Sequence, residues 1–250
     1  MRPRKELGQH FLVDDNILRV IERLAALDPT DVVLEVGPGR GVLTRYLSTR
    51  VAHVHAIEID RRLAPKLDGI ARTTVHWGDA MRIDFATLEP APHKFVANLP
   101  YNVATPLVAE SLNDDQLELW CVMVQREVGE RFFARPSTKA YGAVSVMVQL
   151  ATERLGVHPV SREVFRPRPN VDSALVAFRR VAPGASTPVK RVIEASFAHR
   201  RKTLANSLAL KGRAPRERAV EALAAIGRPP NVRAEELEPP EFVALAEALG

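Results

Sequence analysis

The chain has 250 residues, 46% of them hydrophobic, which is enough for one sizeable α/β domain and a small second one. Its single cysteine, Cys121, excludes a disulfide framework and a cysteine-built metal cluster, and no uncharged apolar run approaches membrane-spanning length. A formal charge of +5 and a pI near 9.6 favour a polyanionic partner.

The opening Met1-Arg2-Pro3-Arg4-Lys5 is basic, but no apolar stretch follows it, so it does not read as a secretory signal and a cytoplasmic protein is expected. A helix is predicted to start near Asp14-Asp15-Asn16, which supply N-caps, with Ile17, Leu18, Ile21, Leu24 and Leu27 at helical spacing. Next comes Val32-Val33-Leu34-Glu35-Val36-Gly37-Pro38-Gly39-Arg40-Gly41, a β-branched run that breaks into glycines before the helical pattern of Val42 to Leu47. A second strand, His53 to Glu58, ends in a carboxylate 21 positions beyond Gly37, which suits an acid that accepts from both hydroxyls of a ribose. The pattern is Gly-x-Gly-x-Gly, with Val42 where a dinucleotide fingerprint would have glycine. Glu35 adds a carboxylate that would repel a pyrophosphate but not a cationic sulfonium or amino group, so S-adenosylmethionine is the expected cofactor.

Further on, Arg61 to Ala71 reads as helix, Thr74 to Ala80 as a third strand, Lys94 to Asn98 as a fourth and Leu119 to Gln125 as a fifth. Such alternation predicts a parallel doubly wound sheet with ligands at the C-terminal ends of its strands. Glu35, Glu58, Asp79 and Asn98 all fall at such ends. Trp77 and Trp120, within strands, are expected in the core. Glu127 to Phe133 continues as helix, and Ala134 to Gly142 is a polar loop that reads equally as a lid or a plain connection. Ser145 to Leu150 and Ala174 to Phe178 are predicted as late strands forming an antiparallel hairpin, with the proline-stiffened Val164 to Ser173 between them.

A boundary is expected at Ala182 to Pro188, dividing a domain of residues 1–182 from a helical one of 189–250. The helices are predicted at 189–210, 215–226 and 240–249. Arg200, Arg201, Lys202, Lys211, Arg213, Arg216 and Arg218 cluster there; beside a nucleotide-modifying site they read as phosphate contacts rather than a merely solvated face. His199 among them reads as a phosphate or surface residue, not a base.

Asn98-Leu99-Pro100-Tyr101 follows the fourth strand and fits the Asn/Asp-Pro-Pro-Tyr type of signature found in enzymes that methylate exocyclic amines. An adenine N6 amine is a poor nucleophile because its lone pair is delocalised into the ring. The Asn98 side-chain oxygen and a backbone carbonyl at Leu99 can accept its two N–H bonds and stabilise the charge that develops on nitrogen. Tyr101 offers a face on which a flipped base can stack, at ~1–3 kcal/mol per base. An Asn-x-Pro turn with a packing tyrosine would look the same in isolation.

Taken together the chain resembles the KsgA-type rRNA adenine dimethyltransferases, relatives of the Erm enzymes of large-subunit rRNA. The likeness rests on Gly8-Gln9-His10-Phe11-Leu12, Glu35 to Gly41, Glu58-Ile59-Asp60, Gly78-Asp79-Ala80, Asn98 to Pro106, Phe165 to Ala174 and Phe197 to Leu204. It implies an α/β fold, a Rossmann-like class I methyltransferase sheet with a small all-helical C-terminal domain, and S-adenosyl-L-methionine as cofactor. It further implies that His10 and Leu12 border the methionine end of the cofactor, that Gly37 lies against it, and that Glu58 and Asp79 hold its ribose and adenine. Asn98 would bridge cofactor and target, Tyr101 and Phe165 would sandwich the adenine, and Arg200, Arg201, Lys202, Lys211 and Arg213 would meet RNA. The implied substrate is two adjacent adenosines near the 3′ end of 16S rRNA in the assembling small subunit, with the enzyme a monomer and no membrane partner. An Erm-like enzyme of 23S rRNA and a non-catalytic assembly factor are the competing readings; the intact cofactor and amine motifs argue against the second.

Overall fold

A computed structural model describes residues 9–250; Gly8 and the basic opening lie outside the described residues. The chain divides into two compact units, one of residues 9–129 with Glu153–Val181 and one of Glu130–Thr152 with Ala182–Gly250.

The first unit is built on a mixed sheet of seven strands among the described residues. Its members are β2 (Val32–Val36), β3 (His53–Glu58), β4 (Thr73–Trp77), β5 (Lys94–Asn98), β6 (Leu119–Gln125), β7 (Thr152–Val160) and β9 (Ser173–Arg180), ordered β4-β3-β2-β5-β6-β9-β7. β2 to β6 pair in parallel, and β9 runs antiparallel to β6 with Met123 opposite Leu175. From β2 the chain moves outward through β3 and β4, then returns to β5 on the other side of β2, so the order reverses between β2 and β5. That switch point is where an open α/β sheet leaves a crevice at its strand ends. A separate two-stranded pair joins β1 (Phe11–Leu12) to β8 (Phe165–Arg166), with Leu12 opposite Phe165.

The helix α1 (Asp15–Leu24) starts where the Asp14 side chain accepts from the Asn16 N–H. Ile17, Leu18 and Ile21 then fall on one face and pack on Val33, Val54, Val96, Cys121 and Leu175 of the sheet. The shorter helices α2 (Val42–Ser48), α3 (Ala64–Leu67) and α4 (Ala104–Ser111) carry the chain between parallel strands, and α5 (Arg126–Phe132) follows β6.

Several expected elements differ. The helix predicted over Arg61 to Ala71 is a 3-10 turn at Arg61–Leu63 and a single turn of α3, because Asp68 leaves helical geometry and Gly69 takes φ +76°. The third strand stops at Trp77, where the chain leaves the sheet and Asp79 caps a 3-10 turn. Trp77 is only partly buried, with the Arg61 guanidinium 5.9 Å from its ring centroid, while Trp120 is fully buried against Phe178. Ser145 to Leu150 is not a strand but part of α6 (Ala143–Ala151). Its run of valines mimics a sheet pattern, yet Val144 to Val148 are all buried, and Ser145 Oγ ties the helix start to the Gly142 N–H. The strand beside β9 is instead β7, whose Glu153, Arg154, Leu155 and Val157 are exposed as expected of an edge.

In the second unit, α6 packs with α7 (Thr187–Phe197), α8 (Leu204–Leu210), α9 (Arg216–Ala225) and α10 (Pro239–Leu249). The continuous helix expected over 189–210 is broken at 198–203, where Ser207 Oγ donates to the Ala195 carbonyl and accepts from the His199 N–H. Residues 130–152, expected in the first domain, pack here because Tyr141 is fully buried. Its hydroxyl donates to Leu237 O at 2.8 Å and its ring stands edge-on to Phe197. The 134–142 loop is further held by the Ser137 N–H on Glu235 O.

Candidate active site

At the C-terminal ends of β2, β3 and β5 lies a cavity of about 210 Å³. Its floor is set by two loops in contact. Gly37 has φ +74°, and a Cβ there would sit 3.1 Å from the Pro100 ring, so glycine is required for the loop after β2 to meet the loop after β5. At Gly39 the obstruction would be Phe11 of β1, 2.9 Å away. The two glycines thus serve loop packing as much as ligand approach.

Glu58 ends β3 and is 5% exposed. One carboxylate oxygen accepts from the Gly39 N–H at 3.1 Å and the other from the Asp60 N–H at 2.9 Å. Burial raises its pKa while those backbone donors hold it down. Each oxygen keeps a second lone pair, so the carboxylate can still accept from a pair of hydroxyls. Asp60 in turn binds Arg62, whose guanidinium holds the Asp60 carboxyl well below the usual carboxylate range, and Asp60 also accepts from Gln9 Nε2 at 3.1 Å. Asp79 lines the same cavity, with one oxygen accepting from the Met81 N–H at 3.0 Å. Beside these two acids the exposed apolar side chains of Ile59 and Met81 also line the cavity. Sequence reasoning passed over both; their signal is an apolar residue directly after, or two after, each predicted acid.

Glu35, at the end of β2, also lines the cavity and is 1% exposed, with Oε2 lacking a hydrogen-bond partner among the described residues. Burial pushes its pKa up to about 8, with the neighbouring Glu58 charge adding to the shift and Thr44 opposing it. The acid is therefore mostly protonated at neutral pH, and the charge repulsion of a pyrophosphate expected from sequence is weakened. What remains is a buried carboxyl that a nearby cation would help to ionise.

Asn98 ends β5. Its Nδ2 donates to the His10 carbonyl at 3.1 Å, which commits the amide nitrogen and makes Oδ1 the acceptor available to an incoming amine. Leu99 is buried and its N–H is held by Met123 O at 3.0 Å, so the loop leaves the sheet in a fixed direction. Tyr101 shares a 2.6 Å hydrogen bond with Ser173 Oγ and stacks on His10 with ring centroids 5.4 Å apart. Leu12 is nearly buried at the wall. Phe165 is not brought to the cavity: it is fully buried in the apolar core with Leu12 and Leu175, so the expected Tyr101–Phe165 sandwich is absent from this arrangement.

In the second unit, Arg201, Lys202 and Lys211 are exposed. Arg200 is committed locally, to Lys139 O at 3.2 Å and to Glu235 at 3.3 Å. Arg213 is half-buried, and its Nε lacks a partner among the described residues.

Residues 1–246 match the family described as ribosomal RNA adenine dimethylase. The chain belongs to this family. Ribosomal RNA small subunit methyltransferase A of Rubrobacter xylanophilus is 47% identical over 98% of this chain and 94% of its own length. Among solved structures, the 23S rRNA methyltransferase ErmE is 30% identical, with a TM-score of 0.64 and coverage of 96% of this chain and 99% of its own. A dimethyladenosine transferase from Plasmodium falciparum has a TM-score of 0.73 at 24% identity, covering 94% and 96% respectively, and supports the fold. Membership makes the chain a methyltransferase with S-adenosyl-L-methionine as its methyl donor. The acids described above suit that donor: a two-armed carboxylate for a ribose at Glu58 and an ionisable buried acid for a cation at Glu35. Among the described residues no helix is long and apolar enough to cross a membrane.

Proposed function

We propose that the chain dimethylates N6 of two adjacent adenosines near the 3′ end of 16S rRNA in the assembling small ribosomal subunit, acting as a cytoplasmic monomer. The observation that carries this reading is Asn98, whose amide nitrogen is tied to the His10 carbonyl so that Oδ1 faces the task of accepting. The small-subunit target is taken from the names of relatives such as the Rubrobacter xylanophilus protein.

In this reading Glu58 and Asp79 hold the ribose and adenine of the donor, Gly37 lies against it, and His10 and Leu12 stand at its methionine end. The donor supplies an electrophilic methyl group on a cationic sulfur. Asn98 Oδ1 and the Leu99 carbonyl accept the two N–H bonds of the target amine, draw its lone pair out of conjugation and stabilise the positive charge as the N–C bond forms and the S–C bond breaks. The proton then leaves to water, since an aminium attached to adenine is strongly acidic. Tyr101 supplies the stacking face for the flipped base. Arg201, Lys202 and Lys211, with Arg200 and Arg213, form the phosphate-binding surface of the helical unit, as the charge of all five and the exposure of the first three support.

The test is incubation with labelled S-adenosyl-L-methionine and unmodified small or large subunits, followed by digestion to nucleosides. Dimethyladenosine confined to 16S rRNA is the expected result. Label in 23S rRNA would move the chain to the Erm-like reading, and no label with donor binding intact would favour an assembly factor without catalysis.

A further inference from the structure

We propose that Arg40 and Arg166 form a second phosphate-binding surface, on the catalytic unit itself, that grips the RNA backbone beside the nucleotide entering the cavity. This deepens the reading above and rests on it for RNA as the substrate.

The β1–β8 pair has two faces, and residues opposite each other in such a pair point to the same side. Leu12 and Phe165, one such couple, are buried in the apolar core. Phe11 and Arg166, the next couple, therefore face the other way, and Arg166 is exposed. The Arg40 guanidinium lies over the Phe11 ring, 4.6 Å from its centroid, so both cations belong to this outer face. Neither is spent on an acid. Arg40 is exposed, and its backbone is fixed where its carbonyl accepts from Arg45 Nη2 at 2.6 Å. Its side chain has no hydrogen bond or ion pair among the described residues. Arg166 Nη1 donates to the Glu163 and Phe165 carbonyls at 3.0 and 2.8 Å, which anchors the guanidinium and leaves Nε and Nη2 for a ligand. Among the acids of this loop, Glu163 is held by Arg168 at 2.7 Å, and Asp172 accepts at Oδ1 from the Arg162 N–H at 3.2 Å. A guanidinium stacked or anchored in this way keeps its planar fork in place, which suits the paired oxygens of a phosphate. Position selects the ligand. Arg40 lines the cavity together with Asn98 and Tyr101, whereas Arg166 is not among the residues that line it. A small anion bound in the cavity would meet Arg40 alone, but a chain of phosphates leading into it meets both. A base stacked on Tyr101 brings such a chain, since a flipped nucleotide stays joined to a phosphate on each side.

The test compares wild type with the double variant Arg40→Gln, Arg166→Gln on the ribosomal subunit that the wild type labels. Three quantities are measured: the Kd for that subunit as a function of salt, kcat and KM for methyl transfer to it, and the Kd for the donor. The double variant should bind the subunit roughly ten-fold more weakly at low salt, and its slope of log Kd against log salt should flatten by ~0.7 per arginine. The loss in kcat/KM should lie in KM, and the donor Kd should stay within about two-fold of wild type. Arg40→Lys with Arg166→Lys, which keeps both charges, should restore the slope. Should the glutamine pair fail to fold, Arg166→Gln alone carries the same expectation at half the change in slope. An unchanged subunit Kd and slope would make the two arginines a solvated face and overturn the proposal. A donor Kd raised roughly ten-fold would assign Arg40 to the donor carboxylate and overturn it as well. Wild-type enzyme that binds donor yet labels neither subunit would instead overturn the RNA reading beneath it.

Discussion

Glu35→Gln offers a quantitative check on the buried acid. In the fold this carboxyl has a pKa of about 8, against 4.5 ordinarily. Between those values the native state keeps a proton that the unfolded chain has lost, so stability falls as pH rises through the window, by about 1.4 kcal/mol per pH unit. From pH 5 to pH 8 the wild type should lose about 3 kcal/mol on this account, and a glutamine should lose nothing. Burial of the amide is a pH-independent term and cancels when the two pH values are compared. For a chain of this length the gap between variant and wild type should widen by roughly 6–12 °C in Tm. Thermal melts followed by circular dichroism at pH 5, 6, 7 and 8, without added donor, measure it directly. Parallel profiles for the two proteins would show that Glu35 ionises normally and refute the reasoning. Donor affinity should move the other way, since the amide cannot acquire the charge that a cation favours.

Three further outcomes are expected. Asn98→Ala should lower the single-turnover transfer rate by about 10²–10³ with RNA affinity nearly intact, as judged by filter binding; loss of both together would remove Asn98 from its assigned role. Replacing Arg201, Lys202 and Lys211 with alanine should weaken RNA binding and flatten its dependence on log salt by ~0.7–0.9 per phosphate contact, whereas Arg200→Ala should chiefly destabilise the helical unit through Lys139 and Glu235. His53, His55 and His76 have pKa values lowered chiefly by burial, with Glu89 opposing at His55. His55 donates from Nε2 to Pro90 O and accepts at Nδ1 from His76 Nε2, 3.0 Å away, so an added proton has no acceptor there. The unfolded chain binds protons first, so stability should fall as pH drops below the usual imidazole value of 6.5, and urea midpoints for His76→Gln should fall less than those of wild type.

What could be read from the chain was what short stretches determine. The strands β2, β3, β5 and β6 have interiors buried on both faces, and strand direction alone brings their C-terminal ends to one edge of the sheet. Glu58 and Asn98 were therefore legible as neighbours, and with Asp79, two residues past the end of β4, they line one cavity. The failures share a physical cause, which is packing between segments far apart in sequence. Val144 to Val148 lie in a helix whose Ser145 and Gln149 side chains donate to the carbonyls of Arg131, Phe132 and Ala134, partners that the valine run does not reveal, and β7 escaped notice because an exposed edge strand carries polar residues. Gly37 looked like room for a ligand, yet its Cβ would strike Pro100, 63 residues later. The family resemblance implied Phe165 as the partner of Tyr101 around the adenine. Its pairing through β8 to β1 turns it into the core and leaves His10 facing the tyrosine. His10, just before β1, holds the Asn98 amide through its carbonyl, and β1 itself packs Phe11 against Gly39. The three residues His10, Phe11 and Leu12 thus hold the Asn98 amide, back the glycine turn and place a ring on Tyr101, whereas the sequence marked them only through the resemblance, as a border of the cofactor.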